Sequence, residues 1–291
     1  MRAIRKKSSY QTGSPMTDLR APVLIPESTA FNSVAVKWVR HWNEHLFSFA
    51  VERPASFRFR SGEFVMIGLP GEGGTDDKPA KPVMRAYSIA SPAWAEELEF
   101  LSIKVPGGPL TERLQAVEPG DQVYLGKKPT GTLVLDALLG GKRLFLLSTG
   151  TGLAPFLSVA RDPDVYERFD QVVVVHGVRR VNDLAFHDEL AARLADDPLV
   201  ADEAATRFHY VPAVTREDFH TTGRIPALIE SGRLFEGLDG EPRFDPETDR
   251  VMLCGSTAMI REIASMLEHK GFVEGSNANP GQFVIERAFV D

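Results

Sequence analysis

The sequence predicts a two-domain fold, in which an N-terminal antiparallel β-barrel is followed by a C-terminal α/β domain with a doubly wound parallel sheet. Three observations lead to this prediction. The chain has 291 residues, which is enough for two domains. From residue 33 to about residue 125, apolar and polar residues alternate with a period of two, as in antiparallel strands. After Asp136, short apolar runs alternate with helical patterns, as in a parallel sheet covered by helices.

The first 28 residues are poor in periodic structure and are predicted to form a disordered leader. They begin with basic residues but contain no long apolar core, so a secretory signal is not expected. We assign residues 29–137 to the barrel domain and residues 138–291 to the α/β domain.

The barrel is predicted because many short strands follow one another closely, and closure removes their exposed edges. The expected strands cover residues 34–38, 47–51, 57–59, 64–69, 87–90, 98–105 and 122–125. The stretch 71–82 combines glycine, proline and charge and predicts a loop. One helix is expected over residues 111–117, capped by Thr111 and ended by Pro119-Gly120.

The α/β domain is predicted to contain strands over residues 143–147, 172–175, 208–211, 251–254 and 282–287. The four consecutive valines at 172–175 are typical of a strand that is buried on both faces. Helices are expected after Gly150-Thr151-Gly152, over residues 183–194 and over residues 225–231. A further helix is predicted from its cap, Ser256, to Gly271.

Composition excludes several classes of protein. Cys254 is the only cysteine, which excludes an internal disulfide and a cysteine-ligated iron–sulfur cluster, and no metal site is predicted. No apolar run approaches the roughly 20 residues of a membrane span. The net charge of −7 argues against nucleic acid as a partner, and we expect a cytoplasmic monomer. Residues 1–140 carry +2 and residues 141–291 carry −9, so the two halves are expected to face different partners.

The strongest chemical signal is Arg85-Ala86-Tyr87-Ser88, inside a predicted barrel strand. An arginine fork suits a pyrophosphate, and a tyrosine ring can cover one face of a flat heteroaromatic ring. Downstream, Ser102, Lys104 and Val105 precede Gly108-Pro109-Leu110-Thr111, where the amides of a helix start favour an anion. The same residues are also compatible with an ordinary barrel strand that carries an exposed arginine.

A second signal is Thr149-Gly150-Thr151-Gly152-Leu153-Ala154-Pro155, directly after a predicted strand. Its glycines let the backbone approach a phosphate or a ring, and the following helix adds its positive end. Pro155 stands where the third glycine of a GxGxxG motif would be, so a simple strand–helix turn stays an alternative.

Arg179, Arg216 and Arg224 lie at predicted strand ends, where α/β proteins bind their ligands. Together they could bind the 2′-phosphate of NADP(H), whereas each alone is compatible with a solvated surface charge. The last signals are Cys254-Gly255-Ser256 at a strand end and the C-terminal Ile285-Glu286-Arg287-Ala288-Phe289-Val290-Asp291. A free buried cysteine is usually only a small apolar residue.

In this order, the motifs resemble those of the ferredoxin–NADP reductase family, and in particular of its bacterial flavodoxin/ferredoxin reductases. The resemblance runs from about residue 31 to residue 291. It implies an FAD-containing oxidoreductase that transfers electrons between NADP(H) and ferredoxin or flavodoxin. Hydride exchange with the flavin would be followed by single-electron steps to the carrier.

The resemblance also implies roles for individual residues. The implied FAD-binding residues are Arg85, Ala86, Tyr87, Ser88, Ser102, Lys104, Val105, Leu110, Thr111, Thr151, Ala288 and Phe289. The implied NADP(H)-binding residues are Gly150, Thr151, Gly152, Arg179, Arg216, Arg224, Cys254 and Gly255. In catalysis, Tyr87 would stack on the isoalloxazine and Ser88 would hydrogen-bond near flavin N5. Cys254 and Glu286 would flank the site of hydride transfer.

Two alternatives stay open at this point. One is an NAD(P)H-dependent flavin reductase or an oxygenase reductase component on the same scaffold. The other is a non-catalytic nucleotide-binding or interaction module. If the reductase interpretation holds, the carrier is expected to dock on the more basic barrel half, because ferredoxins and flavodoxins are generally acidic. The candidate contacts are Lys37, Arg40, Arg53, Arg58 and Arg60.

Overall fold

A computed structural model describes residues 20–73 and 80–286. In this part of the chain, a six-stranded antiparallel sheet is followed by a five-stranded parallel sheet, which confirms the predicted fold class. Residues 1–19 of the predicted leader lie outside the described residues. So do residues 74–79, in the middle of the loop expected at 71–82, and the predicted FAD-binding residues Ala288 and Phe289.

The first sheet forms a nearly closed barrel. Its strands are β1 (Phe31–His41), β2 (Leu46–Glu52), β3 (Phe64–Leu69), β4 (Val83–Ser88), β5 (Glu97–Ile103) and β6 (Gln122–Gly126), in the order β4-β3-β6-β1-β2-β5. The edge strands β4 and β5 meet just beyond β4, where Ile89 pairs with Phe100 and the Ala90 N–H donates to the Glu99 carbonyl at 2.8 Å. This contact nearly closes the sheet around an apolar core.

Two predictions for the barrel are wrong. Residues 57–59 form no strand but belong to a loop. Both phenylalanine rings of this loop are buried in the barrel core, and they produce the alternation of apolar and polar residues that predicted a strand. The helix expected over residues 111–117 is shorter, α1 (Thr111–Leu114), and Thr111 is not its cap. The Thr111 hydroxyl instead accepts a hydrogen bond from the Val105 N–H at 3.3 Å.

The end of the predicted leader is held against the barrel. Arg20 donates to both oxygens of the Asp121 carboxylate, and the Val23 N–H donates to the same group at 2.7 Å. Ile25 is buried, and its N–H donates to the side chain of Gln122 at 3.1 Å. Residues 20–25 of the predicted leader are therefore held in place, because the buried Asp121 carboxylate requires partners.

The second sheet is parallel, with the strand order β11-β10-β7-β8-β9. Its strands are β7 (Arg143–Thr149), β8 (Gln171–Val178), β9 (Phe208–Val214), β10 (Asp249–Cys254) and β11 (Phe283–Ile285). Its helices are α2 (Ala154–Ala160), α3 (Pro163–Arg168), α4 (His187–Ala191), α5 (Ala201–Arg207), α6 (Ile225–Glu230) and α7 (Thr257–His269). The strand order reverses at β7, and ligands of doubly wound sheets bind beside such a reversal, outside the carboxyl ends of the strands.

Both faces of this sheet are covered. Along β7, Leu144 and Leu146 belong to one apolar core, whereas Phe145 and Leu147 belong to the core on the opposite face. The first of these cores also contains Leu46 of the barrel, so the two domains share a hydrophobic contact.

The helical predictions for this domain are only partly correct. The helices α3 and α5 were not predicted, and β11 is shorter than expected at both ends. The helix expected over residues 183–194 is reduced to α4, because Phe186 and Leu194 adopt left-handed φ values of +59° and +54°. The cap of α7 is as predicted, since the Ser256 hydroxyl accepts a hydrogen bond from the Met259 N–H.

Candidate functional site

A large cleft lies between the two domains. Its volume is about 1630 Å³, above the roughly 300–1,000 Å³ of an ordinary small-molecule site. One wall consists of β4, β5 and the start of α1, and we call it the barrel wall. The other wall consists of the carboxyl ends of β7, β8, β9 and β10, and we call it the α/β wall. The cleft has room for more than one extended ligand.

The barrel wall carries the predicted motif on β4. Arg85 is exposed at the cleft and donates one hydrogen bond to the Met84 carbonyl at 2.8 Å, while Tyr87 and Ser88 are buried beside it. The other predicted FAD-binding residues on this wall are Ala86, Ser102, Val105, Leu110 and Thr111. The structure thus brings a guanidinium, an aromatic ring and hydroxyl groups to one surface.

The Tyr87 ring is fixed by its neighbours. Its hydroxyl lies 3.0 Å from Ser102 Oγ, and its ring packs edge-on against Phe49 and Phe100 with centroid distances of 6.2 Å each. Burial raises the pKa of Tyr87, so the phenol stays protonated. The bond to Ser102 joins β4 to β5, so the same contact closes the barrel and orients the ring.

Lys104 is not brought to the cleft. Its ammonium donates to the Asn43 carbonyl at 2.8 Å, in the turn between β1 and β2. Asn43 lines the cleft, whereas Lys104 does not. Lys104, which was predicted to bind FAD, therefore supports the turn between β1 and β2 and is not among the residues that line the cleft.

On the α/β wall, the turn Gly150–Leu153 packs directly against the end of β10. A Cβ atom on Gly152 would lie 2.5 Å from the Cys254 carbonyl oxygen, and one on Gly255 would lie 2.2 Å from Thr149 Oγ1. Gly255 also has a φ of +143°, so only glycine fits there. The predicted NADP(H)-binding residues on this part of the wall are Gly150, Thr151, Gly152, Cys254 and Gly255.

His176 of β8 holds this turn, and sequence reasoning missed it. Its Nε2–H donates to the Gly150 carbonyl at 3.1 Å, and its Nδ1 lies 3.5 Å from the Tyr210 hydroxyl. Burial lowers the pKa of His176 to about 4, so the imidazole is neutral at pH 7. The signal in the sequence is an ionisable residue that directly follows four valines in a strand buried on both faces.

Cys254 and Glu286 lie near each other but do not share the cleft surface. Burial, reinforced by the negative charge of Glu286, raises the pKa of the Cys254 thiol, which therefore stays protonated. Glu286 is buried and accepts a hydrogen bond from the Thr132 N–H at 3.3 Å. Cys254 lines the cleft, whereas Glu286 is not among the lining residues.

The three predicted arginines all line the α/β wall. Arg179 and Arg216 are exposed, and the Arg216 N–H donates to the Arg179 carbonyl at 2.9 Å, so the two residues follow neighbouring strands side by side. Arg224 is also exposed, and it forms an ion pair with Glu262 of α7. This side of the cleft therefore favours a ligand with a highly charged anionic group.

The described residues show neither a membrane span nor a metal centre. In residues 20–73 and 80–286, no helix is long and apolar enough to cross a bilayer. Within the same ranges, no three histidine, cysteine, aspartate or glutamate side chains are grouped so that they could hold a metal ion.

Comparisons with known proteins agree with this geometry. A family model for the oxidoreductase NAD-binding domain matches residues 146–265. The flavodoxin/ferredoxin–NADP reductase of Rhodobacter capsulatus is 51% identical over 267 residues, which cover 92% of this chain and 96% of the relative. The ferredoxin–NADP reductase of Azotobacter vinelandii is 49% identical over 254 residues, with coverages of 87% and 95%. Among solved structures, a ferredoxin NADP⁺ reductase from Neisseria gonorrhoeae with bound FAD and NADP has a TM-score of 0.77 at 32% identity, and the match covers 89% of this chain and 99% of that one.

A cleft shared by an antiparallel barrel and a doubly wound α/β domain defines a two-domain nucleotide-dependent oxidoreductase. At about half identity over nearly the full length of its relatives, the chain belongs to the flavodoxin/ferredoxin–NADP reductase family. The family resemblance that the sequence motifs indicated is therefore confirmed.

Proposed function

We propose that this chain binds FAD and transfers electrons between NADP(H) and ferredoxin or flavodoxin. The observation that carries the proposal is the single cleft in which Arg85-Ala86-Tyr87-Ser88 faces the arginine-bearing strand ends. The identity of about 50% to reductases of this name favours this activity over a free-flavin reductase or an oxygenase reductase component.

FAD is proposed to bind along the barrel wall. The donor set fits this cofactor, because Arg85 offers an exposed guanidinium for a pyrophosphate and Ser88 offers a hydroxyl for a ring nitrogen. Tyr87 offers a ring that is already oriented by Ser102. When bound, FAD supplies the conversion of a two-electron hydride into two single electrons. The protein holds its part of this site through the cross-strand contact between Tyr87 and Ser102.

NADP(H) is proposed to bind along the α/β wall. Arg179 and Arg216 would bind the 2′-phosphate, because both line the cleft at neighbouring strand ends and charge-assisted hydrogen bonds from two arginines favour a dianion. Arg224, which forms an ion pair with Glu262, would be the third arginine at this phosphate. The bare backbone of the Gly150–Leu153 turn would border the nicotinamide half.

Cys254 is proposed to flank the site of hydride transfer. Its protonated thiol can contact a ring or donate weakly, but it is not a nucleophile. Glu286 is proposed to act through its neighbours. Its carboxylate accepts a hydrogen bond from the Thr132 backbone N–H, and its negative charge helps to keep the Cys254 thiol protonated.

The carrier is proposed to dock on the barrel half, whose sequence is the more basic. Most of the basic residues considered as contacts are already engaged within the protein. Arg53 donates to the carbonyls of Phe57, Ala93 and Ala95, and Arg60 pairs with Glu63. Arg40 pairs with Glu189 of the other domain, and Arg58 donates to the carbonyls of Ala55 and Phe57, so Lys37 is the contact we retain.

We also propose that the protein acts as a cytoplasmic monomer with a domain division after residue 137. The single cysteine is compatible with a reducing compartment. The division is supported by the 3₁₀ turn Leu135–Ala137, which lies between the last barrel strand and the first parallel strand. Sedimentation velocity would contradict the monomer if the main species had twice the mass of the chain.

The test of the proposed activity is the absorbance spectrum of the purified protein before and after anaerobic NADPH. We expect bound FAD, its bleaching by NADPH, and recovery of the oxidised spectrum when oxidised ferredoxin or flavodoxin is added. A protein that purifies without flavin would favour a free-flavin reductase. A protein whose flavin is not bleached by NADPH would not be a reductase of this kind.

A further inference from the structure

The turn between β1 and β2 reaches across from the barrel to the α/β domain. The Asn43 side-chain amide donates to the Asn182 carbonyl at 2.7 Å, and the Trp42 ring packs on Phe186 with a centroid distance of 4.6 Å. We call the residues that make this contact the domain clasp. They are Arg40, Trp42, Asn43 and Lys104 on the barrel, and Asn182, Phe186 and Glu189 on the α/β domain.

The barrel half of the clasp is held in place before it meets the other domain. Lys104 donates to the Asn43 carbonyl at 2.8 Å with its ammonium, and to the His45 carbonyl at 2.8 Å with its backbone N–H. The Trp42 indole N–H donates to Ser48 Oγ at 2.8 Å, and the Arg40 guanidinium lies 3.5 Å above the Trp42 ring centre. These contacts fix both the turn and the indole ring.

The α/β half of the clasp lies on the segment that leaves the end of β8. This segment carries Arg179 and then reaches Asn182 and Phe186 within a few residues. Phe186 adopts a φ of +59°, a left-handed conformation that is unfavourable for a residue with a Cβ atom. Its ring packs against Trp42, so a contact from the other domain accompanies the strained backbone.

A second contact between the domains lies away from the cleft. The Trp94 indole N–H donates to the Arg161 carbonyl at 2.9 Å, and Ser158 Oγ donates to the Ser91 carbonyl at 2.7 Å. These residues do not line the cleft, whereas Asn43 and Asn182 do. Loss of the clasp would therefore leave the domains joined at the back and through the apolar core that contains Leu46, and would loosen them at the mouth of the cleft.

We propose that the domain clasp sets the separation of the two walls, and that Trp42 and Asn43 are positioning residues for hydride transfer. The inference rests on the proposed function, in which the barrel wall holds the flavin and the α/β wall holds the nucleotide. Hydride transfer requires the reacting atoms to approach within about 3–3.5 Å, and a misplacement of about 1 Å can cost roughly a hundredfold in rate. Neither residue needs to touch a cofactor, because the clasp acts through the placement of one domain against the other.

The test uses the FAD-loaded protein with two variants of the clasp. Asn43→Asp keeps the acceptor for the His45 N–H (2.7 Å in the native turn) but loses the donor to Asn182, and it places a carboxylate beside Asp183. Trp42→Ala removes the ring contact with Phe186. The matched control is Trp38→Ala, because Trp38 lies on the same strand and bonds to Glu97 within the barrel.

For both clasp variants, the rate constant of flavin reduction by NADPH, per bound FAD, should fall by roughly tenfold or more. The absorbance change on adding NADP⁺ to oxidised protein should weaken, since it reports the approach of the nicotinamide to the flavin. Electron transfer from chemically reduced protein to the carrier should change by less than about twofold in both clasp variants. In the control, Trp38→Ala, all three measurements should change by less than about twofold.

Unchanged reduction rates and NADP⁺ difference spectra in both clasp variants would overturn the proposal. An equal loss in Trp38→Ala would overturn it as well, because the effect would then be a general weakening of the barrel. Failure of the proposed function would look different, since the flavin of the unaltered protein would then not be reduced by NADPH.

Discussion

The two walls of the cleft hold their functional groups in different ways. On the barrel wall, Tyr87 is buried, bonded to Ser102 and packed between other rings, so the group that would contact a flavin is also part of the barrel core. On the α/β wall, the charged groups Arg179 and Arg216 are exposed at the ends of strands. Next to these arginines, the wall is lined by the backbone of Gly150, Gly152 and Gly255. Function and stability should therefore be coupled on the barrel wall and separable among the arginines.

The largest expected effect comes from removing both exposed arginines. Each charge-assisted bond is worth roughly 1.5–3 kcal/mol. The double variant Arg179→Ala/Arg216→Ala should therefore raise the KM for NADPH by about a hundredfold or more. The KM for NADH should not change, because NADH lacks the 2′-phosphate, and the melting temperature should not change, because both side chains are exposed. Steady-state kinetics with both nucleotides and a thermal melt measure these quantities.

Arg180 provides the control for this variant. It lies next to Arg179 and lines the cleft, but it pairs with Glu217 at 3.6 Å. Arg180→Ala should change the KM for NADPH by less than about threefold. If the double variant lost NADH and NADPH equally, the arginines would not be the 2′-phosphate site.

The next effect concerns His176, the buried histidine that holds the glycine turn of the α/β wall, and it depends on pH. His176 has a pKa of about 4 in the folded protein, below its ordinary value of about 6.5 in the unfolded chain. Above pH 6.5 both states are neutral and the group has no effect. As the pH falls below 6.5, the unfolded chain takes up a proton that the folded protein excludes. The free energy of unfolding should fall by up to about 3 kcal/mol near pH 4.

Urea unfolding between pH 7 and pH 4 measures this loss. His176→Gln is the comparison, because its amide can still donate to the Gly150 carbonyl but does not titrate. The variant should show a flatter dependence of unfolding free energy on pH over this range. An identical slope in both proteins would show that carboxylates, rather than His176, determine the acid sensitivity.

A smaller effect is expected from the glycine turn. Gly152→Ala would bring a Cβ atom to 2.5 Å from the Cys254 carbonyl oxygen, so the backbone would have to shift, at a cost of about 1–3 kcal/mol in unfolding free energy. Because the turn borders both nucleotides alike, NADPH and NADH oxidation should decline together, in contrast to the arginine variants. Gly140→Ala is the control, since no atom lies within 4 Å of its Cβ position. Equal effects of the two substitutions would contradict the steric explanation.

The smallest effects should separate two serines of the barrel wall. Ser88→Ala removes a hydroxyl at the cleft and should slow flavin reduction by NADPH roughly fivefold, the value of a hydrogen bond of about 1 kcal/mol. Its melting temperature should stay close to that of the unaltered protein. Ser102→Ala leaves the buried Tyr87 hydroxyl without its partner and should lower the unfolding free energy by about 1 kcal/mol. If Ser88→Ala instead unfolds the barrel and leaves the rate per bound flavin unchanged, Ser88 is structural.

The predictions from sequence succeeded where the signal was local. The period-two alternation predicted segments of all six barrel strands, although residues 87–90 overlap β4 (Val83–Ser88) only at its end. It was wrong at residues 57–59, because a buried loop with two phenylalanines produces the same alternation. The helix expected over residues 183–194 was shortened because Phe186 takes a left-handed conformation while it packs against the barrel residue Trp42. That packing partner is more than 140 positions away in the sequence, and no local pattern reveals it.

The same distinction applies to the site. The sequence by itself determined the order of the two domains, the motif around Tyr87, the glycine turn and the arginines at the strand ends, because strand periodicity and turn chemistry are encoded by neighbouring residues. Only the tertiary structure decided that Lys104 supports a turn, that His176 holds the Gly150 carbonyl and that Asn43 joins the two domains. Each of these contacts satisfies a polar group with a partner from another strand or another domain. Such partners are selected by the three-dimensional packing, so they cannot be identified from adjacent positions in the chain.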